Sequence, residues 1–272
     1  NLNENHSQLK HTRLLMFKSL FLIICMLFSS LSFANEVNIY TSRHYDSDDQ
    51  LYEDFRKETG IKINVISGNG NALLERLKSE GENSPADIFF TVDAGNLWKI
   101  QKEGYFQSIS STKALSIVPR NLRGPNNEWI AIAKRARVIF YNPKTVSNAE
   151  LADLNYEDLS DKEWDGRVVI RSSNNIYNQS LVASLISTHG IDRTEEWAKG
   201  FVSNLARKPQ GNDRSQIMAV ANGMADLAIA NSYYYGYMLS GKAGNDQIEA
   251  AKKVKMFFPN QNNRGVPINI SG

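Results

Sequence analysis

The chain has 272 residues, a formal net charge of +2, 42% hydrophobic and 22% charged residues, and a single cysteine. That length supplies about one and a half to two domains of material. One Cys excludes a disulfide framework within the chain, and its place at position 25, in the segment read below as a signal peptide, excludes thiolate metal sites from the exported protein; the near-balanced charge gives no basic footprint for nucleic acid.

The sequence begins at Asn1 rather than Met, and residues 1–15 read as an upstream segment foreign to the protein. Met16 opens a second pattern: Lys18, an apolar block over 20–28, then Ser32 and Ala34 as a small-x-small site. This predicts a secretory signal peptide over 16–34 and a periplasmic mature protein. The block is shorter than the roughly 20 residues that span a bilayer, which sets a membrane anchor aside. Cys25 would suit a lipoprotein, but Ile23 and Ile24 before it are bulky where a lipobox takes small residues. Removal of residues 1–34 takes Lys10, Arg13, Lys18 and Glu4 with it, so the exported chain is balanced in charge. It has no Cys, keeps His44 and His189, and carries all 11 Tyr.

Residues 36–42 alternate and predict a first strand. Asp46 or Ser47 is expected to cap a helix that runs through Glu58 and stops at Gly60. A strand over 61–67, a turn at 68–71, a helix over 72–80, a strand over 87–92 and a helix to Gly104 follow. This alternation implies an open parallel sheet with helices on both faces. Ligands in such sheets lie at the carboxyl ends of strands, where His44 and Tyr45 stand. The turn Gly68-Asn69-Gly70-Asn71 lacks the spacing and Lys of a phosphate loop.

A long strand is predicted over 129–142, carrying Arg135 and Arg137 and ended by Pro143. Its length suits a connection between two lobes. Residues 142–252 read as a second α/β unit. In it a strand over 168–171 meets the polar loop 172–178, which caps a helix over 179–189. Residues 210–214 cap a helix over 215–222, and the apolar run 225–230 is a buried strand. Strands over 254–259 and 266–270 return to the first lobe. His189, before Gly190, reads as a helix C-cap. The sequence stops at Gly272 directly after an apolar run, which reads as a fragment end.

Four phenols fall within five positions at Tyr233, Tyr234, Tyr235 and Tyr237. Asn231 and Ser232 predict a helix start there, so Tyr233 and Tyr234 lie beside unpaired N–H groups and the positive end of the dipole. The pair is either an aromatic packing cluster or two hard oxygen ligands. Tyr45 and Tyr177 share the same local setting, a strand end meeting a helix start. Phenolate is a hard donor and Fe(III) a hard acceptor, whereas softer metals recruit thiolate or imidazole. Calcium and magnesium take carboxylates and carbonyls, and no acidic loop of that kind is present. No Gly-x-Ser-x-Gly, His-Glu-x-x-His or P-loop points to an enzyme.

The His44-Tyr45 entry, the segment Lys-Arg-Ala-Arg-Val-Ile-Phe-Tyr-Asn at 134–142, Ser-Ser-Asn-Asn-Ile-Tyr-Asn-Gln-Ser at 172–180, Gln-Gly-Asn-Asp-Arg at 210–214 and Asn-Ser-Tyr-Tyr-Tyr at 231–235 together resemble the periplasmic ferric-iron-binding proteins of ABC importers, in their cyanobacterial iron-uptake branch. The resemblance implies an α/β, two-lobe Venus-flytrap fold with hinge-connected open sheets. The first lobe would hold 35–134 and 253–272, and 135–252 the crossing strand and second lobe. It implies a non-enzymatic monomer that takes Fe(III) in an interlobe cleft and delivers it to an ABC permease. His44, Tyr45, Tyr177, Tyr233 and Tyr234 match the ligand positions, and Arg135 and Arg137 a cationic segment behind them. No Glu stands beside His44, which argues against a required synergistic anion. The alternative is a binding protein of the same fold for a small organic or anionic solute, with Tyr rings as stacking surfaces and Arg137 as the orienting charge.

Overall fold

The computed structural model describes residues 36–43 and 45–272. The upstream segment, the signal peptide, Cys25 and His44 lie outside the described residues. Among the described residues no helix is long and apolar enough to cross a membrane. The chain forms two compact units, residues 36–68 with 76–89, and residues 69–75 with 90–272.

In the first unit β1 (Glu36–Thr41) runs parallel to β2 (Lys62–Ser67), with Glu36 opposite Lys62 and Thr41 opposite Ser67. β1 lies between β2 and β3 (Ile88–Phe90). Helix α1 (Asp46–Thr59) joins the two parallel strands and ends at Gly60, whose φ of 73° lets its N–H reach the Arg56 carbonyl. The expected cap at Asp46 or Ser47 is corrected. The cap position is Tyr45, with no side-chain bond, and Asp46, Asp48 and Asp49 all fall inside the first turn. There their charges favour the helix through its dipole rather than through a capping hydrogen bond. Helix α2 (Gly70–Glu80) starts earlier than the sequence predicts.

The second unit contains α3 (Ala94–Lys102), α4 (Thr112–Ile117), β4 (Ala133–Tyr141), α5 (Asn148–Leu151), β5 (Val168–Val169), α6 (Ile176–His189) and α7 (Ile191–Ser203). It continues with α8 (Asp213–Ala221), β6 (Leu227–Asn231), α9 (Tyr233–Leu239), α10 (Asn245–Lys253), β7 (Lys255–Phe257) and β8 (Ile268–Ser271). The sheet order is β5-β6-β4-β7, and β8 pairs with the other half of β4. The sheet is mixed: β5 and β6 are parallel, while β4 is antiparallel to β6, β7 and β8.

Both faces of this sheet are covered, so its strands read as near-continuous apolar runs. Val138, Phe140, Ala228 and Ala230 pack with Ile217 and Val220 of α8 and Ala251 of α10. Ile139, Tyr141, Leu227 and Ile229 pack with Leu181 of α6, Phe201 of α7, Tyr156 and Trp164. By the period of two along a strand, Arg135 and Arg137 fall on the face of Ile139, and Asn231 on the face of Ile229. Two guanidiniums thus point from β4 towards the side of the sheet covered by α6.

Candidate metal centre

A Tyr in a fold serves packing as readily as chemistry, and the environment of each hydroxyl separates the two roles. Tyr156 is fully buried and its hydroxyl donates to the Arg137 carbonyl at 2.7 Å. Burial pushes its pKa up, against the lowering pull of the Arg137 and Arg264 charges. Tyr40 donates to the Glu80 carboxylate at 2.7 Å, and burial pushes its pKa up as well. Both are structural phenols held protonated.

Tyr177 is placed by the start of α6. Asn175 caps that helix, its side-chain oxygen accepting from the Tyr177 N–H at 3.0 Å. The helix begins at Ile176, three residues before the expected position, because the cap is Asn175, inside the loop 172–178 rather than at its end. Tyr233 and Tyr234 open α9 directly after β6, as the sequence predicts, with ring centroids 4.2 Å apart. Ser232 occupies the cap position but makes no capping bond. Its hydroxyl accepts from the Ala136 N–H of β4 instead, so a contact to the neighbouring strand displaces the local one. Tyr235 packs towards Phe140, centroids 5.8 Å apart, and Tyr237 lies under the Arg214 guanidinium, both apart from any ligand role.

Arg135 brings the two tyrosine regions together. Its guanidinium carbon is 5.2 Å from the Tyr177 ring centroid and 5.9 Å from that of Tyr233, within cation–π range. Nη1 donates to the Ile270 carbonyl and the Ser271 hydroxyl. Nε and Nη2 are buried without a hydrogen-bond partner. A buried guanidinium with two free donors beside two phenols is suited to offset negative charge formed on them.

Arg137 is 1% exposed and its Nη1 meets Asp213 Oδ2 at 2.9 Å. The same carboxylate faces Arg171 Nη1 at 3.5 Å through Oδ1, so one Asp is shared by two guanidiniums. The motif at 210–214 contained Asp213, but locally that residue reads only as a helix-start acid. In the structure Asn212 is the cap, its side chain accepting from Ser215.

A further residue was missed altogether. Asp93 is fully buried at the entry to α3, with a backbone φ of 76°. Its Oδ1 accepts from the Gly95 N–H at 2.8 Å and from the Ser180 hydroxyl at 2.7 Å, while Oδ2 has no partner. Ser180 is one turn beyond Tyr177 on α6. The positive φ is invisible in a sequence that does not place Gly there.

In the first unit Tyr45 stands at the end of β1, partly exposed, with the Arg43 guanidinium 4.8 Å from its ring centroid. Arg43 also pairs with Asp48 at 2.7 Å. His44 lies outside the described residues. Among the described residues no group of three His, Cys, Asp or Glu is placed to hold a metal ion.

Residues 83–261 match the family model of the bacterial extracellular solute-binding proteins. Iron uptake protein A1 of Synechocystis sp. PCC 6803 is 52% identical over 237 residues, 87% of this chain and 65% of that protein. Iron uptake protein A2 of the same organism is 45% identical, over 87% of this chain and 66% of its own length. The chain thus spans about two thirds of the length of these relatives. The structure of the Trichodesmium protein IdiA (FutA) with iron and citrate superposes with a TM-score of 0.81 at 54% identity, covering 87% of this chain and 74% of that one. Apo FutA2 from Synechocystis superposes at 0.80 with 44% identity, covering 88% and 74%.

Proposed function

Since the chain belongs to the family of bacterial extracellular solute-binding proteins, we propose that it captures Fe(III) in the periplasm and passes it to an ABC permease. Tyr177, Tyr233 and Tyr234 are the phenolate ligands in the second unit, joined by Tyr45 and by His44 as ligand or hydrogen-bond partner. The proposal keeps the division into a lobe of 35–134 with 253–272 and a lobe of 135–252, and a monomeric, non-enzymatic carrier.

The observation that carries this reading is the meeting of Tyr177 and Tyr233 on the Arg135 guanidinium, from helix starts 56 positions apart in sequence. Packing alone does not call for a buried cation with two unpartnered donors among phenols. The names of the relatives agree: two are iron uptake proteins, and a similar structure holds iron and citrate. The same free Arg135 donors also suit a carboxylate, which supports the second reading of a small anionic solute. Titration of the purified protein with ferric citrate, followed in the visible, separates the two. Phenolate-to-iron charge transfer gives a coloured complex, whereas citrate bound without iron leaves the protein colourless.

A further inference from the structure

The ion pair of Arg137 and Asp213 is more than a neutralised charge in a core. Arg137 Nη1 donates to Asp213 Oδ2 at 2.9 Å and to Asn231 Oδ1 at 3.1 Å. Nη2 donates to Asn178 Oδ1 at 2.5 Å and to the Ile229 carbonyl at 3.4 Å. Asp213 Oδ2 also accepts from the Asn231 backbone N–H at 2.9 Å, and Oδ1 faces Arg171 Nη1 at 3.5 Å. Asn178 is held from its other end, its Nδ2 donating to the carbonyls of Arg171 and Ser172. Asn178 directly follows Tyr177, and Asn231 stands two residues before Tyr233. One planar guanidinium therefore grips both helix starts that bear the tyrosines, and Asp213 fixes the guanidinium and one of those starts at once.

Energetics alone does not account for the arrangement. Taking both charges out of water offsets much or all of their mutual attraction, and apolar replacements of similar volume are often as stable. The surrounding face already supplies apolar partners in Ile139, Ile229 and Leu181. What apolar residues lack is direction. A forked donor meeting two amide oxygens and a carboxylate sets distances between three elements in a way that packing does not.

We propose that Arg137 and Asp213 are positioning residues that hold the Tyr177 helix start at a fixed spacing from the Tyr233–Tyr234 helix start, and so set the geometry with which the phenols receive a ferric ion. This rests on the ferric reading given above. Neither residue touches the metal; they act through Asn178 and Asn231. In other metal sites, groups that hydrogen-bond to and orient the ligands behave likewise, and their loss weakens metal binding by about 10- to 100-fold.

The test uses the full chain loaded with ferric citrate and reads three quantities: the position and intensity of the visible band, the rate of iron loss to a chelator, and the melting temperature of the iron-free form. The informative variant is the double replacement Arg137→Met with Asp213→Leu, which removes both charges together and is expected to fold, with a melting temperature below the parent's because Arg171, Asn178 and the Asn231 N–H lose partners. Its band is expected to shift and its iron to leave about 10- to 100-fold faster. Asn178→Ala is the milder arm, since it leaves the ion pair intact and releases only the Tyr177 start; iron loss is expected to quicken there also. A folded double variant with the parent's band and release rate overturns the proposal. So does a parent-like rate in Asn178→Ala if the double variant does not fold. A parent protein that shows no ferric band defeats the ferric reading itself, and this proposal with it. A banded parent with unaltered variants defeats this proposal alone.

Discussion

The guanidinium of Arg135 packs on the ring of Tyr177, its central carbon 5.2 Å from the ring centroid, with Nε and Nη2 left without hydrogen-bond partners. Four phenolates around Fe(III) would leave one negative charge in a partly desolvated site, and a fixed cation at this distance offsets it. Arg135→Gln is therefore expected to weaken ferric binding by about 10- to 100-fold. Arg135→Lys would recover part of it, because an ammonium keeps the charge but loses the flat face and the fork. Ferric titration in carbonate- and phosphate-free buffer checks both variants. The parent is expected to bind under those conditions; an absolute need for an added anion would reject the charge account.

Tyr233→Phe with Tyr234→Phe keeps the paired rings and deletes two donors. The visible band is expected to weaken and shift and the ferric affinity to fall in the double variant, with little change in the melting temperature of the iron-free protein. Retention of the parent's band would show that other groups bind the iron.

Tyr156→Phe supplies the contrasting case. Its hydroxyl is committed to the Arg137 carbonyl at 2.7 Å, and burial holds it protonated. The variant is expected to lose about 1 kcal/mol of stability and to keep the ferric band. Denaturant unfolding and a spectrum on the same sample separate the two effects.

Two kinds of pH dependence are expected. Iron affinity falls with acidification, by about tenfold per pH unit for each phenol proton displaced. Stability of the iron-free protein falls at much lower pH, for a different reason. Burial of Glu157 would raise its pKa, but hydrogen bonds from Asn260 and His189, its own backbone and the Arg264 charge bring it down from 4.5 to about 2. A folded-state pKa below the unfolded one contributes stability above pH 4.5, which is lost as the pH falls towards 2. Glu157→Gln is expected to be less stable than the parent at neutral pH and to show a shallower loss across that interval. Thermal melts as a function of pH, without iron, measure it.

The local setting of the tyrosines was legible because helix starts are written in neighbouring residues. Asn175 before Tyr177, and the end of an apolar strand before Tyr233, are signals within a few positions. The fold class was legible for the same reason, since alternation of strand and helix patterns is local. The antiparallel course of β4 was not, because strand direction depends on partners far along the chain. Nor was the attachment of Arg137: Asp213 lies 76 residues away and looks like an ordinary first-turn acid. His189 shows the same limit. The residue closing its helix is Gly190, at a φ of 81°, as the dipeptide suggests, but the imidazole Nε2 is hydrogen-bonded to Glu157 at 2.7 Å across 32 residues.

Asp93 holds a backbone conformation that L-amino acids adopt at a cost, while its side chain ties the start of α3 to Ser180 on the helix of Tyr177. Glycine would relax the main chain at that position and cut the tie in the same step. Relief of main-chain strain therefore opposes the loss of the Gly95 cap and of the Ser180 hydrogen bond at one position, and denaturant unfolding of Asp93→Gly reads the balance.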